Sequence, residues 1–399
     1  MLHLFRVAIV LAAVILVFVP VSAQNLDWNI TGAGARADGF AGAFIGVADD
    51  ATSIVWNPAG LATLERPEAS IVTRYISESS DYSYTSFPSA NSTESQSHFD
   101  LNFGSFAMPL KAGGNNIVVA VAYQRQLDAY ANQKNSSMEY SSEGGANTIT
   151  PGIGMKITPM ISVGLAANFW LGKYDDSNKD LLAGTTTTDN GTFSGTNFVI
   201  GALFDFAGGN SKLPLKLGVS VKTPFDLTID QTSNDPANSL QTSATGTVQM
   251  PLMLGFGASY QPSDNLTLAF DYETRAYGNK QLSLSVNGTN VGQVNMSQSK
   301  ENLNEIRIGA EYLIVTSNFV IPLRAGYRTV PTLYANYDDA GNSTGQVSGG
   351  AFSVGSGYIT DRFAIDVTYN SSSYTQTFGT VGNIKYSIGT ISSSIIFYF

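Results

Sequence analysis

The chain has 399 residues, a formal charge of −10 and no cysteine, which excludes disulfide frameworks, thiolate nucleophiles and cysteine metal sites. That charge also makes nucleic acid an unsuitable partner, because binding to phosphate backbones needs clustered Lys and Arg. Only 13% of residues are charged, beside 39 Gly, 19 Tyr and 22 Phe, and no linker divides the chain, so one large closed sheet with aromatic girdles fits better than several soluble domains.

In chain order, residues 1–23 read as a secretory signal: Arg6 precedes the apolar run Val7 to Val19, and Pro20-Val21-Ser22-Ala23 supplies a small-residue cleavage site. The run is shorter than the ~18 to 20 residues of a membrane-spanning helix, and no later apolar stretch approaches that length. Residues 24–66 are rich in Ala and Gly and lack period-two alternation, and Ala41 to Leu61 reads as short helices and turns. This segment is too small to form its own core and is expected to pack inside something larger.

From 67 to 399 the signal is alternation, which gives each face of a strand its own set of side chains. Phe363, Ile365, Val367 and Tyr369 alternate with Ala364, Asp366, Thr368 and Asn370, and Leu266, Leu268, Phe270 and Tyr272 alternate with Thr267, Ala269, Asp271 and Glu273. The pattern predicts strands near 68–77, 99–109, 115–126, 144–157, 161–174, 192–206, 213–223, 247–261, 266–275, 302–314, 319–330, 349–360, 363–376 and 384–399. Long polar connections are expected near 78–98, 127–143, 175–191, 224–246, 276–301, 331–348 and 377–383, with short turns such as Thr158-Pro159-Met160 and Asp361-Arg362 between them. Long and short connections in strict alternation are the mark of an outer-membrane barrel with outside loops and periplasmic turns. The expected fold is therefore all-β, a transmembrane antiparallel β-barrel of about 14 strands with a small N-terminal hatch in its lumen. Asn287-Gly288 within Leu282 to Val294 predicts a hairpin that extends an outer loop; if it crossed the membrane, the count would rise by two. The chain ends Ile395-Ile396-Phe397-Tyr398-Phe399, which resembles the C-terminal assembly signal of bacterial outer-membrane barrels.

The small-residue run before Asp49-Asp50-Ala51, and Asn57-Pro58-Ala59 followed by Gly60-Leu61, resemble the FadL family of outer-membrane transporters for long-chain fatty acids and other hydrophobic molecules. Lys222-Thr223-Pro224-Phe225-Asp226, Met250-Pro251-Leu252, Arg307 to Tyr312 and Leu323 to Arg328 are similar to later stretches of that family. The resemblance implies a monomeric 14-stranded barrel closed by a hatch containing Asn57, Pro58 and Ala59, a hydrophobic ligand such as a fatty acid held in an interior pocket, and exit through a gap in the wall into outer-membrane lipid. It also implies that Leu26, Trp28 and Ile30 lie near the ligand. The loops 175–191 and 224–246 are mostly polar, with Leu181-Leu182, Phe225 and Leu227 as their apolar pieces, whereas family members often carry strongly apolar capture loops.

Each candidate residue has a plainer reading beside it. Asn57-Pro58-Ala59 is a gate or simply an Asx-Pro turn. Phe44, Ile45, Val47, Ile54, Val55 and Trp56 line a ligand pocket or pack the hatch. Among the wall charges Asp271, Glu273, Glu305, Arg307, Glu311, Arg324, Arg328 and Asp366, a paired lumen network is favoured; the alternative is that Arg307 or Arg324 meets a ligand carboxylate. Gly32, Gly34 and Gly39 follow no strand, so they are no nucleotide loop. Asp175 to Asp180 and Asp338-Asp339 offer oxygen ligands but no full calcium set and read as solvated loop. With His3 in the signal, His98 stands alone, and neither a triad nor a histidine metal site can be built from it. No cofactor or enzyme activity is expected. The leading function is passive uptake of hydrophobic molecules. Its competitors are a general porin, which needs an open lumen, and a docking barrel in protein secretion, since the barrel of the type IX shuttle is similar in its Asp-Asp-Ala and Asn-Pro-Ala-Gly-Leu motifs.

Overall fold

The computed structural model describes residues 32–112, 115–209 and 213–399; the signal segment and Leu26, Trp28 and Ile30 lie outside the described residues. The outward side chains of the strands are apolar through one band, with Ile71, Leu101, Ile153, Leu165, Ile200, Ile308, Val354 and Val367 all exposed. Their inward neighbours are mostly small or polar, and the larger apolar ones among them, Val72 and Val199, are buried in the interior. That distribution is the inverse of a soluble domain and matches a wall facing lipid.

Nineteen hydrogen-bonded segments form one antiparallel sheet that closes where β1 (Glu68–Tyr84) pairs with β19 (Gly382–Tyr398). Between them run β2 (Ser92–Ala112), β3 (Asn115–Asp128), β4 (Ala131–Lys134), β5 (Met138–Lys156), β6 (Ile161–Asp180), β7 (Thr185–Asp205), β8 (Leu215–Lys222) and β9 (Phe225–Asp235). Next come β10 (Leu240–Met250), β11 (Met253–Ser263), β12 (Leu266–Arg275), β13 (Gln281–Val286), β14 (Thr289–Asn295) and β15 (Leu303–Val315). The wall is completed by β16 (Val320–Tyr337), β17 (Ser343–Ile359) and β18 (Phe363–Phe378). β4, β9, β11, β13 and β15 each continue or resume the strand of a neighbouring segment across a short interruption, so the barrel has 14 strands. Two of the interruptions face each other. Thr223-Pro224 and Pro251-Leu252 sit at one level, between the pairs Met253↔Lys222 and Met250↔Phe225, because proline has no N–H for the ladder.

The expected outer loops are the main correction. Most of 78–98, 127–143, 175–191 and 224–246 is strand, not loop, and Asp175 to Asp180 lie in β6 instead of a solvated loop. Hydrophobic alternation stops where the wall leaves the lipid, but the ladder of backbone bonds does not, since its hydrogen bonds are indifferent to side-chain polarity. The strands of 16 to 21 residues exceed the 9 to 11 needed for crossing by enough to raise a collar of about 20 Å above the bilayer. The hairpin β13–β14 joins this collar by pairing with β10, so it adds no membrane crossing. Near the periplasmic rim Tyr358 stacks on Phe319 at 5.0 Å, and Arg66 lies 3.8 Å from the Tyr398 ring centroid, as an interfacial girdle requires.

Residues 32–64 fill the lumen as a plug of two short helices, Ala35–Gly39 and Ser53–Trp56, and the 3-10 helix Pro58–Thr63. Its seat is a track of inward-facing glycines. Gly154 pairs with Gly164 and Gly164 with Gly201, Gly218 pairs with Gly257, and Gly309 pairs with Gly326. A Cβ on Gly164 would lie 2.2 Å from the Pro58 carbonyl carbon, one on Gly218 2.2 Å from the Ile45 oxygen, and one on Gly326 2.5 Å from the Phe40 carbonyl carbon. Plug backbone thus touches wall backbone directly. Gly164→Val is expected to overpack this seam and cost about 1–3 kcal/mol, read as a lower urea midpoint of the detergent-solubilised protein and faster tryptic cleavage at Arg36.

Candidate functional site

The interior on the two sides of the plug differs in chemistry. On the side of β12, β15, β16 and β18, the alternation that points Leu268, Phe270 and Ile308 at lipid points Asp271, Glu273, Glu305, Arg307, Glu311, Arg324 and Asp366 inward, where all are buried. Glu273 and Glu305 are direct cross-strand neighbours, a repulsive pairing that Arg275 and Arg307 relieve. Arg275 Nε donates to Glu273 at 2.5 Å, and Arg307 Nη2 donates to Glu305 at 2.7 Å. Arg324 donates to Glu311 at 2.6 Å and to Asp366 at 2.5 Å. Both arginines offered as carboxylate partners of a ligand are therefore bound into wall ion pairs.

The plug is tied into this network. Arg36 pairs with Glu311 at 3.1 Å and with Asp49 of the plug itself. Burial raises the Asp50 carboxyl above the usual carboxylate range, against the pull of Arg36. Asp271 accepts the backbone N–H groups of Phe44 at 2.8 Å and Ile45 at 2.9 Å, and Ser353 and Thr368 donate to the Gly39 and Ala35 carbonyls. Arg74 of β1 donates to Asp38 at 3.0 Å. These bonds satisfy plug backbone groups that no regular ladder covers.

Asn57 joins the other side. It is fully buried; its Nδ2 donates to the Ile45 carbonyl and to the Ala202 carbonyl of β7, both at 3.0 Å, and its Oδ1 accepts from Ala59 N–H at 3.2 Å. Pro58 follows at the first position of the 3-10 helix, where its fixed φ and missing donor cost nothing. One amide thus clamps the turn, the neighbouring plug chain and the wall together. Phe44, Ile45, Val47, Ile54 and Ala59 are buried in plug packing, with Phe40, Phe44 and Trp56 ring to ring at 6.1 and 6.2 Å. Trp56 also borders a cavity of about 170 Å³ on the extracellular side of the plug, lined by Arg74, His98, Asp100, Arg125 and Asp128 among others. Val55 borders a smaller one of about 20 Å³.

The second cavity leads to residues that sequence reasoning missed. Above Val55, the inner faces of β6, β7, β9, β10 and β11 bring together Trp170, Phe193, Leu227, Ile229, Val248, Met250 and Met253 as one apolar cluster. Trp170 and Phe225 lie 5.2 Å apart and line that cavity together with Lys222. The signal was present: these strands carry large apolar residues on the inward face, where β12, β15 and β16 carry charges.

A family model described as BamG matches residues 41–332. The chain belongs to the BamG family. Among solved structures this BamG-family barrel is similar to a Pseudomonas aeruginosa FadL homologue, with a TM-score of 0.68 at 13% identity over 94% of this chain and 99% of that one. It is also similar to the Ralstonia pickettii toluene transporter TbuX, with a TM-score of 0.61 at 16% identity over 93% and 100% of the two chains. The P. putida toluene transporter TodX matches with a TM-score of 0.62 at 11% identity over 92% and 98%. No curated protein matches in sequence. At such identities the likeness is one of fold, a FadL-like closed barrel, and with its lipid-facing band it places the BamG-family chain in the bacterial outer membrane.

Two outcomes test the anchoring. Arg324→Met would strand Asp366 as a buried charge and leave Glu311 to Arg36 alone, and is expected to cost about 3–5 kcal/mol, measured by urea unfolding. Asn57→Ala would remove three hydrogen bonds and cost about 1–3 kcal/mol, with raised ion conductance in planar bilayers as the sign that the plug has loosened.

Proposed function

We propose that this barrel is an outer-membrane route for small hydrophobic molecules, fatty acids or hydrocarbons, with residues 32–64 acting as its hatch. The observation that carries this reading is the apolar cluster around Trp170 on the inner wall. A lumen built for water and ions has no use for Trp, Phe, Leu and Met side chains packed on its inward face, whereas a site for an apolar ligand is lined by such groups with a few placed polar ones. The cluster is collapsed around a space of about 20 Å³, so entry requires repacking, which Met250, Met253 and the adjoining Met296 make easy through their unbranched, flexible side chains.

Lys222 supplies the placed polar group. For a fatty acid its ammonium is the carboxylate partner in place of Arg307 and Arg324, and for a hydrocarbon it has no role. Exit into the membrane is assigned to the level of Pro224 and Pro251, where two adjacent strands both lack a ladder donor. The toluene transporters TbuX and TodX, to which the fold is similar, support a hydrophobic cargo, and the plugged lumen disfavours a general porin.

The test is uptake of radiolabelled oleate and of toluene by a deletion strain carrying the wild-type gene or a variant. Val248→Asp is expected to lower both at least tenfold. Lys222→Met is expected to lower oleate uptake several-fold and leave toluene unchanged. Uptake equal to that of the empty deletion strain for both compounds would end the transport reading. It would favour a second one, a barrel that serves as a docking body for another protein, for which the ion-paired plug and the tall collar speak.

A further inference from the structure

The collar encloses a second space, about 330 Å³ in volume, between the β1–β2 hairpin, the β4 segment and the β18–β19 hairpin. It lies above the charged cavity on the plug and shares no residue with the apolar cluster of Trp170. One side of it is aromatic. Tyr374 and Tyr386 are cross-strand partners with ring centroids 4.9 Å apart, and Tyr386 continues the stack to Tyr334 at 5.9 Å with planes 5° apart. The opposite side carries carboxamides, Gln96, Asn132, Gln133 and Asn135, together with serine and threonine hydroxyls. Gln96 of β2 ties β1 to β4, donating to Glu78 at 2.7 Å and accepting from the Asn132 backbone N–H at 3.1 Å.

The lining selects a ligand by elimination. A purely apolar molecule would strip water from a dense set of amides and hydroxyls and return no hydrogen bonds. An anion would meet Glu78 and Glu94, while the one basic side chain named in the lining, Lys134, is engaged with Glu139 at 2.9 Å. A cation would find the carboxylates of Glu78 and Glu94 already accepting from Gln96 and Tyr82, and would leave the amides and hydroxyls of the lining without a matching partner. What remains is a neutral molecule with C–H groups on one side and many hydroxyls on the other. Aromatic faces carry the partial negative charge that C–H groups seek, and carboxamides offer the paired donors and acceptors that hydroxyls need. From the juxtaposition of the Tyr374–Tyr386 stack with Gln96, Asn132 and Gln133, we infer that the collar of this barrel is a carbohydrate-binding vestibule. Its volume lies at the lower end of the range for small-molecule pockets, which suits one or two sugar rings. The inference is independent of hydrophobic transport.

The experiment uses the full-length protein in nanodiscs, with saturation-transfer NMR and calorimetry against maltotriose, chitotriose and mannotriose. A further arm uses the polysaccharide that mild acid releases from the producing cells' own outer membrane. Saturable binding of a neutral trisaccharide would support the vestibule with an external glycan as ligand, and binding of the released polysaccharide alone would support it with a surface glycan of the cell as ligand. In either case Tyr374→Ala is expected to weaken binding at least tenfold, and the exposed Asn132→Ala/Gln133→Ala pair, which leaves the stack intact, several-fold; Arg362→Ala on a periplasmic turn is the unchanged control. Failure of every saccharide to bind, or binding that survives both the stack and the amide variants, would overturn the inference. Occupancy by toluene or oleate in place of sugar would overturn it too and make the collar the mouth of the apolar route.

Discussion

The structure depends on how closely backbone can approach backbone inside a closed sheet. A barrel of 14 strands encloses more space than its own inward side chains fill, and the remainder must hold water or chain. Here it holds residues 32–64, and they fit because the wall removes its side chains along their path. Gly154, Gly164 and Gly201 form one uninterrupted cross-strand row beneath Asn57 and Pro58, and Gly309 and Gly326 form another beneath Phe40. A plug with little regular secondary structure gains its backbone partners from the wall, through Asp271, Ser259, Ser353 and Thr368, and the wall gains a packed interior from the plug.

The second constraint is electrostatic. Charges buried in a lumen at membrane depth cannot be left alone, because the desolvation penalty of an unpaired ion is several kcal/mol. The wall resolves this by placing acids and arginines in a connected patch on one arc and then drawing Arg36 of the plug into it. Such a network adds less stability than its number of contacts implies, since each pair first loses its water. Its clearer effect is on geometry. The plug has one orientation in which Arg36 reaches both Glu311 and Asp49, Asp271 reaches both Phe44 and Ile45, and Asn57 reaches Ala202.

Much of this was legible in the sequence, and the reasons differ by element. Strand positions within the lipid were readable because water and lipid impose opposite demands on successive residues, as in Phe363 to Asn370. The wall charges were readable as paired because their parity put them inside. The collar was not readable, since Ser92 to His98 and Thr185 to Thr192 are polar on both faces and alternation vanishes although the ladder persists. The glycine track was hidden for a related reason: a glycine in a strand is ambiguous until its cross-strand neighbour is known, and register comes from the closed sheet. The apolar cluster is hidden for the same reason, since Trp170, Phe193, Leu227, Val248 and Met253 come from separate strands and meet only once the register of the closed sheet is known.

Taken together, these features divide the interior into regions with separate tasks. The charged arc fixes the plug and leaves little for a ligand, because Arg307 and Arg324 are already engaged. The arc from β6 to β11 has few charges, collapsed apolar side chains, flexible methionines and two proline interruptions at one height, so it is the part of the wall with the least to lose by moving. Asn57 stands at the boundary, bound to β7 on one side and to the plug chain at Ile45 on the other. Ile45 in turn donates its own N–H, as Phe44 does, to Asp271 of the charged arc. A shift of the apolar arc would therefore be felt first at Asn57 and transmitted along Ile45, while Arg36, anchored on the opposite side, would keep the rest of the plug in place. Where the plug acts as the proposed hatch, that arrangement favours tilting about its charged edge over departure from the barrel.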